Sequence, residues 1–383
     1  MDRGRLSTIV ALGSTQTLAW ASSYYLPAIV GDAMARDTGT STTWLFASFS
    51  GALVISALLG PRAGRLIDGG NGNAVLAVSN LLFTGGLCLL AFAQSLATLT
   101  LAWMVLGIGM GIGLYDAAFA VLGRIYGTGA RGAITGITLF AGFASTIGWP
   151  LTAWGASTIG WRDTCLAWAA LHFFVALPLN YWCLPRPTIA AAEKKAADQP
   201  VPIDRPMILL AFAFAAAWVV TAGMAAHFPR IMEIAGASQT QAIAAGALIG
   251  PSQVAARLLE AGPLSRLHPL ITARLATLTH PVGAAVLLIA GGSVAASAFA
   301  ILHGSGNGIL TIARGTVPLA LFGPAGYGRL IGRIAGPWLA MQSAAPLVLA
   351  FVAERFSDAA ALALVCAFAL VALGCFVAIR RPG

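Results

Sequence analysis

Apolar residues run along this chain in stretches of about 20, separated by short polar or charged breaks. The stretches fall at roughly 6–30, 43–60, 74–93, 96–122, 133–154, 164–184, 207–228, 241–259, 270–291, 295–313, 331–352 and 359–379. A helix rises ~1.5 Å per residue, so about 20 residues cross a ~30 Å hydrocarbon core. The pattern predicts an all-α polytopic membrane protein of twelve transmembrane helices. The first stretch is too long for a signal-peptide core and lacks a small-residue cleavage site, so it reads as helix 1. Between the sixth and seventh stretches, Pro185 to Pro206 gathers Arg186, Glu193, Lys194, Lys195, Asp198, Asp204 and Arg205 with several prolines. That composition predicts a solvated linker. The expected organisation is an N-terminal six-helix half at 1–184, a cytoplasmic linker at 185–206 and a C-terminal six-helix half at 207–383, the two halves pseudo-symmetric.

Composition agrees with lipid as the solvent. With 58% apolar residues, 9% charged and a mean hydropathy of +0.84, the 383 residues lack the polar groups to cover a water-facing globule. Glycine and alanine dominate the apolar stretches, which favours close helix packing in a bilayer. If the N-terminus is cytoplasmic, all of the 22 basic residues except Arg36, Arg162, Arg230 and Arg355 fall on the inner side. This positive-inside bias places both termini in the cytoplasm and accounts for the net charge of +9 without a nucleic-acid partner. The five cysteines stand singly, with no Cys-x-x-Cys pair, and read as packing residues rather than a disulfide or zinc site. No phosphate-binding Gly-x-x-x-x-Gly-Lys loop occurs, and no nucleophile triad, metal-ligand set or paired carboxylates appear among the few polar residues in the stretches. An enzyme is therefore not expected, nor is a cofactor or bound metal.

A charged tetrapeptide is written twice, half a chain apart: Arg65-Leu66-Ile67-Asp68 and Arg257-Leu258-Leu259-Glu260, with Gly60-Pro61 before one and Gly250-Pro251 before the other. A duplicated membrane domain would set both copies on one side of the bilayer, between the second and third helix of each half. Charged pairs at helix ends often serve only as anchors, but recurrence at this distance suggests a gating role for Gly64, Arg65, Asp68, Arg257 and Glu260.

Twelve helices in two halves, with Gly64-Arg65-Leu66-Ile67-Asp68 after helix 2 and Gly160-Trp161-Arg162 at the start of helix 6, resemble the major facilitator superfamily of secondary transporters. The loop signature departs from the family pattern where Gly69 and Asn73 replace basic residues, which implies a weaker inward gate. Gly148-Trp149-Pro150 only loosely resembles the Gly-Pro motif of the antiporter branches and does not decide the direction of transport. The resemblance implies alternating access between the halves, with helices 1, 4, 7 and 10 lining the path.

Asp116 is, of the 13 acidic residues, the one that lies inside an apolar stretch. A carboxylate there costs about 2.5–3.5 kcal/mol on insertion scales and is expected to serve a substrate or a proton, or else to bond a neighbouring helix. Gly109 and Gly113 share its face and are expected to open space beside it. On helix 10, His303, Asn307 and Arg314 share one face among Gly304, Gly306 and Gly308, which admits another helix or a solute. His303 is either one end of a proton relay with Asp116 or a neutral ring satisfied by a backbone carbonyl. Arg314 is expected to reach towards phosphate at the cytoplasmic mouth. Gln16, Trp20, Ser23 and Pro27 share a face of helix 1 beside Tyr24 and Tyr25, suited to a planar or polar solute or to packing. Tyr115 and Gln342 are further candidates of this kind. Met224, His227 and Met232 are spaced too unevenly on helix 7 for a copper site.

Shorter stretches around Tyr115-Asp116, Ala141-Gly142-Phe143 and His303-Gly304-Ser305-Gly306-Asn307 resemble a bacterial branch that includes arsenite-efflux members. Gln16-Thr17-Leu18-Ala19-Trp20 is similar to a neighbouring branch with copper and riboflavin importers. The expectation is a monomeric transporter of the bacterial inner membrane whose partners are a small solute, protons and the lipid bilayer, working by proton-coupled efflux. The alternatives are an importer of a planar nutrient or metal, and a transporter-like sensor.

Overall fold

The computed structural model describes residues 3–126, 130–185, 203–322 and 327–380, and at some helical positions, Arg65 and Asp68 among them, the backbone alone. Regular structure among the described residues is helical, and the chain has the all-α, twelve-span architecture. It clusters into two compact units, Met1–Ala190 and Ala191–Gly383. Residues 186–202 of the expected linker lie outside the described residues.

In the first unit four of the six spans are built from pieces. Span 1 joins α1 (Arg3–Ala19), a π-helical turn at Trp20–Tyr24 and α2 (Pro27–Asp37). Pro27 has no N–H to give to a continuing helix, so it starts a new one. Span 2 is α3 (Thr42–Leu66), followed by a π-helical turn at Ile67–Asn71, and span 3 is α4 (Gly72–Ala91). Span 4 breaks between α5 (Leu96–Gly113) and α6 (Tyr115–Tyr126), where Leu114 is extended with ψ −167°. Span 5 is α7 (Ala130–Ala141) and α8 (Ala144–Thr158). Span 6 is α9 (Gly160–Leu171), a π-helical turn at His172–Ala176 and α10 (Leu177–Trp182). Such π turns in helices occur often at functional positions.

The second unit is more regular. Its spans are α11 (Arg205–Glu233), α12 (Gln239–Ala247) with α13 (Ile249–Ala261), α14 (Pro269–Ala290), α15 (Gly292–Phe322), α16 (Tyr327–Arg355) and α17 (Asp358–Ala378). Polar side chains fix several helix starts. Ser41, Ser95, Asp204, Ser238 and Ser357 each accept a hydrogen bond from a backbone N–H of the following turn. At Ser95 and Ser238 the bond is reciprocated in a capping box.

Ten stretches are long and apolar enough to cross a membrane on length and composition alone. The exceptions are span 1, where Gln16 and a run of serines and threonines dilute the apolar character, and α15, where His303, Asn307 and several glycines do the same. Both carry candidate site residues, Gln16 and Trp20 on span 1 and His303 and Asn307 on α15.

Candidate functional site

The second unit holds a buried histidine pair. His280 on α14 and His303 on α15 are 4% and 5% exposed, and their Nδ1 atoms lie 3.0 Å apart. Phe299, one turn before His303, stacks on the His303 ring and meets His280 edge-on. Glycines bring the helices close enough for this contact. A Cβ at Gly306 would strike Thr279 and the Ala276 carbonyl, and Cβ atoms at Gly304 and Gly308 would each stand 2.6 Å from a carbonyl oxygen of α13. The glycines of α15 thus admit two neighbouring helices. A cavity of about 20 Å³, room for one water, lies beside the pair. Its polar lining is Thr221, Thr277, Thr279, His280, His303 and Asn307. Thr221 Oγ1 donates to Asn307 Oδ1 at 3.1 Å, joining α11 to α15.

His303 is bonded to a second histidine rather than to a backbone carbonyl, and sequence reasoning missed that partner. The signal was a histidine inside the ninth apolar stretch, followed by Pro281. Arg314 lies with its guanidinium 5.4 Å from the Trp218 ring centroid and 5.0 Å from that of Trp338, a cation–π contact on each. Gln342 is half-buried on α16 and does not line the cavity. His227 Nε2 meets the Pro346 carbonyl at 3.0 Å.

In the first unit the candidates gather where spans 1 and 4 are interrupted. The break at Leu114 orphans carbonyls at the end of α5. Gln16 meets that need, its Nε2 donating to the Gly113 carbonyl at 2.7 Å. Its Oε1 is buried with no partner among the described residues, and the same holds for Trp20 Nε1 one turn on. The Trp20 ring centroid stands 5.0 Å from those of Tyr24 and Tyr115, and Tyr115 stacks on Phe119. The break in span 1 is covered likewise, by Trp149 Nε1 donating to the Tyr25 carbonyl at 3.1 Å. Gly148 permits this approach, since a Cβ there would lie 2.7 Å from the Ala21 methyl.

Asp116 sits in the first turn of α6 and is exposed. Its place in an apolar stretch suggested burial; the break at Leu114 instead puts it at a helix start, where the N-terminal dipole favours a negative charge. Gly109 and Gly113 leave no open space beside it. Their faces are filled by Leu82, Phe83 and Ser79 of α4.

The family model for the Major Facilitator Superfamily matches residues 12–335. The chain belongs to this superfamily. Among solved structures it is similar to a bacterial homolog of the human lysosomal transporter Spinster in an inward-facing, occupied conformation, at 15% identity and TM-score 0.75 over 98% of this chain and 97% of that one. It is also similar to a mutant of the nucleoside transporter NupG, at 14% identity and TM-score 0.77 over 98% of this chain and 99% of that one. No curated protein matches the chain in sequence. As a member of the superfamily it is a multi-pass membrane protein whose fold is that of secondary transporters of small solutes.

The superfamily's short motifs have local roles in this structure. Gly160 has φ +86°, a conformation that favours glycine, and starts α9. Trp161 Nε1 then donates to Asp37 Oδ2 at 2.9 Å, and Arg162 pairs with the same oxygen at 2.6 Å while donating to the Ala93 carbonyl. The motif clamps the ends of spans 1 and 3 to the start of span 6. The Trp161 hydrogen bond, and then Arg162, hold the Asp37 carboxyl below its ordinary value. Asn73, where a basic residue is usual, donates to the Leu184 carbonyl at 2.8 Å and so caps the end of span 6. Of the expected gating residues, Gly64 lies in the last turn of α3, and the side chains of Arg65 and Asp68 lie outside the described ones. Arg257 and Glu260 are buried. Arg257 donates to Gln253 Oε1 at 3.3 Å, and Glu260 Oε1 accepts from Thr272 Oγ1 at 2.9 Å, tying α13 to α14.

Proposed function

We propose that this chain is a proton-coupled secondary transporter of the bacterial inner membrane that exports a small neutral or weakly acidic solute. The observation that carries the reading is the position of Asp116. It is an acid within a membrane span, placed where span 4 is interrupted and next to the face formed by Gln16, Trp20, Tyr24 and Tyr115. Ionisable groups at membrane depth are expensive and mark substrate or proton paths. Arg65, Asp68, Arg257 and Glu260 serve as the gate, as the duplicated tetrapeptide suggests.

A second reading, import of a planar nutrient, is favoured by one specific observation. Gln16 Oε1 and Trp20 Nε1, without partners among the described residues, are an acceptor and a donor one turn apart beside aromatic rings, a pattern suited to the edge and face of a heteroaromatic solute.

Purified protein in proteoliposomes with a trapped pH dye separates these readings, with arsenite, riboflavin, copper and a series of organic acids added in turn. Proton movement on adding an organic acid or arsenite, driven against the solute gradient, supports proton-coupled efflux. Response to riboflavin alone selects the import reading. Solute binding seen by thermal shift with no flux of solute or proton contradicts transport and leaves a membrane sensor.

A further inference from the structure

The histidine pair of the second unit constrains its own proton count. Two ring nitrogens 3.0 Å apart form a hydrogen bond only when one carries the hydrogen and the other offers a lone pair. Two neutral rings meet this condition with opposite tautomers, one protonated on Nδ1 and the other on Nε2. One outer nitrogen is then bare. A third proton fits on that Nε2, giving an imidazolium that donates to a neutral imidazole through the same Nδ1 contact, now charge-assisted. A fourth would set two N–H groups and two positive charges against each other across 3.0 Å and break the contact. The geometry thus tolerates one added proton and resists two.

Further observations point to a ligand at this spot. His280 Nε2 is buried with no partner among the described residues, although its ring is otherwise fixed by His303 and Phe299. Beside both rings lies the cavity with room for one water, with Thr221, Thr277 and Thr279 among its lining residues. No third His, Cys, Asp or Glu among the described residues joins the pair, so the donor set suits a proton better than a metal ion.

Among the described residues, charged groups on the helices packed around the pair are engaged elsewhere or exposed. His227 on α11 meets Pro346, and Arg230 pairs with Asp358 of α17. Arg257 and Glu260 on α13 bond Gln253 and Thr272, Arg274 on α14 donates to the last carbonyls of α17, and Arg314 on α15 faces its two tryptophans. Arg205 and Glu233 of α11, and Glu354 and Arg355 of α16, are exposed at helix ends. α12 carries no titratable group, and of the α17 thiols, Cys366 and Cys375 are half-buried. Among the described residues, each imidazole of the pair is therefore the other's titratable neighbour.

We propose that His280 and His303 form a single-proton binding site, loaded through the adjacent water-sized cavity. A role for this proton in transport rests on the proton-coupled reading above; its binding does not, and is measured without any solute. The test is a proton count on purified protein in detergent between about pH 4 and about pH 9, comparing wild type with the double variant His280→Gln/His303→Gln, alongside ¹⁵N-histidine NMR of the wild type. The expected result is that the double variant takes up one proton fewer per chain. The two wild-type rings shift together in one transition, and an N–N scalar coupling marks the Nδ1 contact. Two protons fewer, or separate full transitions of the rings, overturns the proposal by showing independent sites. No difference, with both wild-type rings unchanged across the range, overturns it by showing a purely structural contact. Should the double variant fail to fold, the wild-type NMR titration decides alone.

Discussion

The two units solve the same joint in opposite ways. In the first, spans 1 and 6 meet through polar contacts. Thr15 Oγ1 donates to Asn180 Oδ1 at 2.9 Å, Ser22 Oγ lies 2.8 Å from His172 Nε2, and Asp37 takes Trp161 and Arg162. His172 Nδ1 in turn donates to Asn80 Oδ1, 3.0 Å away on α4. In the second unit the corresponding α11 and α17 pack through rings such as Phe214 and Phe376, 5.4 Å between centroids, with an ion pair at one end, Arg230 to Asp358. That pair has the same 2.6 Å length as its counterpart in the first unit but the reverse polarity, with the arginine on the earlier span. The polar joint lies between spans that are broken, and the apolar joint between spans that are continuous. A broken span in lipid exposes backbone groups that no water can satisfy, so polar side chains must stand nearby. A continuous span satisfies itself and can afford an apolar joint.

Substitutions at the two joints should separate accordingly. Phe376→Ala removes a fully buried ring from the apolar joint and should cost the second unit about 3 kcal/mol, read as a lower melting temperature in detergent. A change within error would mean that α17 is not held there. His172→Leu keeps most of the volume but strands Asn80 Oδ1 and takes a partner from Ser22, so the first unit should lose about 1–2 kcal/mol. Equal loss from His172→Asn, which keeps polarity, would show that shape rather than hydrogen bonding matters at this joint.

The ion pairs are the weakest lever, because both are part-exposed. Asp37→Asn should cost about 0.5–1 kcal/mol, and the exchange Asp37→Arg with Arg162→Asp, which gives the first unit the polarity of the second, should recover part of it. The pH dependence has a definite sign. Asp37 is held below its ordinary value when folded, so its contribution is present above the unfolded carboxylate value of about 3.9 and fades as pH falls through the lowered folded value. Melting temperature against pH should therefore lose part of its acid-side slope in Asp37→Asn; an unaltered slope would remove Asp37 from the acid response.

Span number and the Gly160-Trp161-Arg162 start of span 6 were legible in the sequence, because both are written in local composition. The interruptions were not. Leu114 is extended where a carbonyl is taken by Gln16, a residue almost a hundred positions earlier, and no local propensity announces such a partner. The exposure of Asp116 was hidden for the same reason, since a carboxylate inside an apolar stretch is buried only if the helix runs through it. His303 was found from its spacing on α15, but His280 and His172 were not, because helical period gives the face of one helix and not the register between two. The same limit made Gly113 look like open space when it is the seat of Ser79.

Proton coupling at Asp116 is the central claim, and solute-driven proton flux in proteoliposomes of wild type and Asp116→Asn tests it most directly. With insertion and melting temperature unchanged, since the side chain is exposed in the first turn of α6, the variant should show no proton flux on addition of the solute that the wild type moves. Full proton-driven transport by Asp116→Asn would contradict the account.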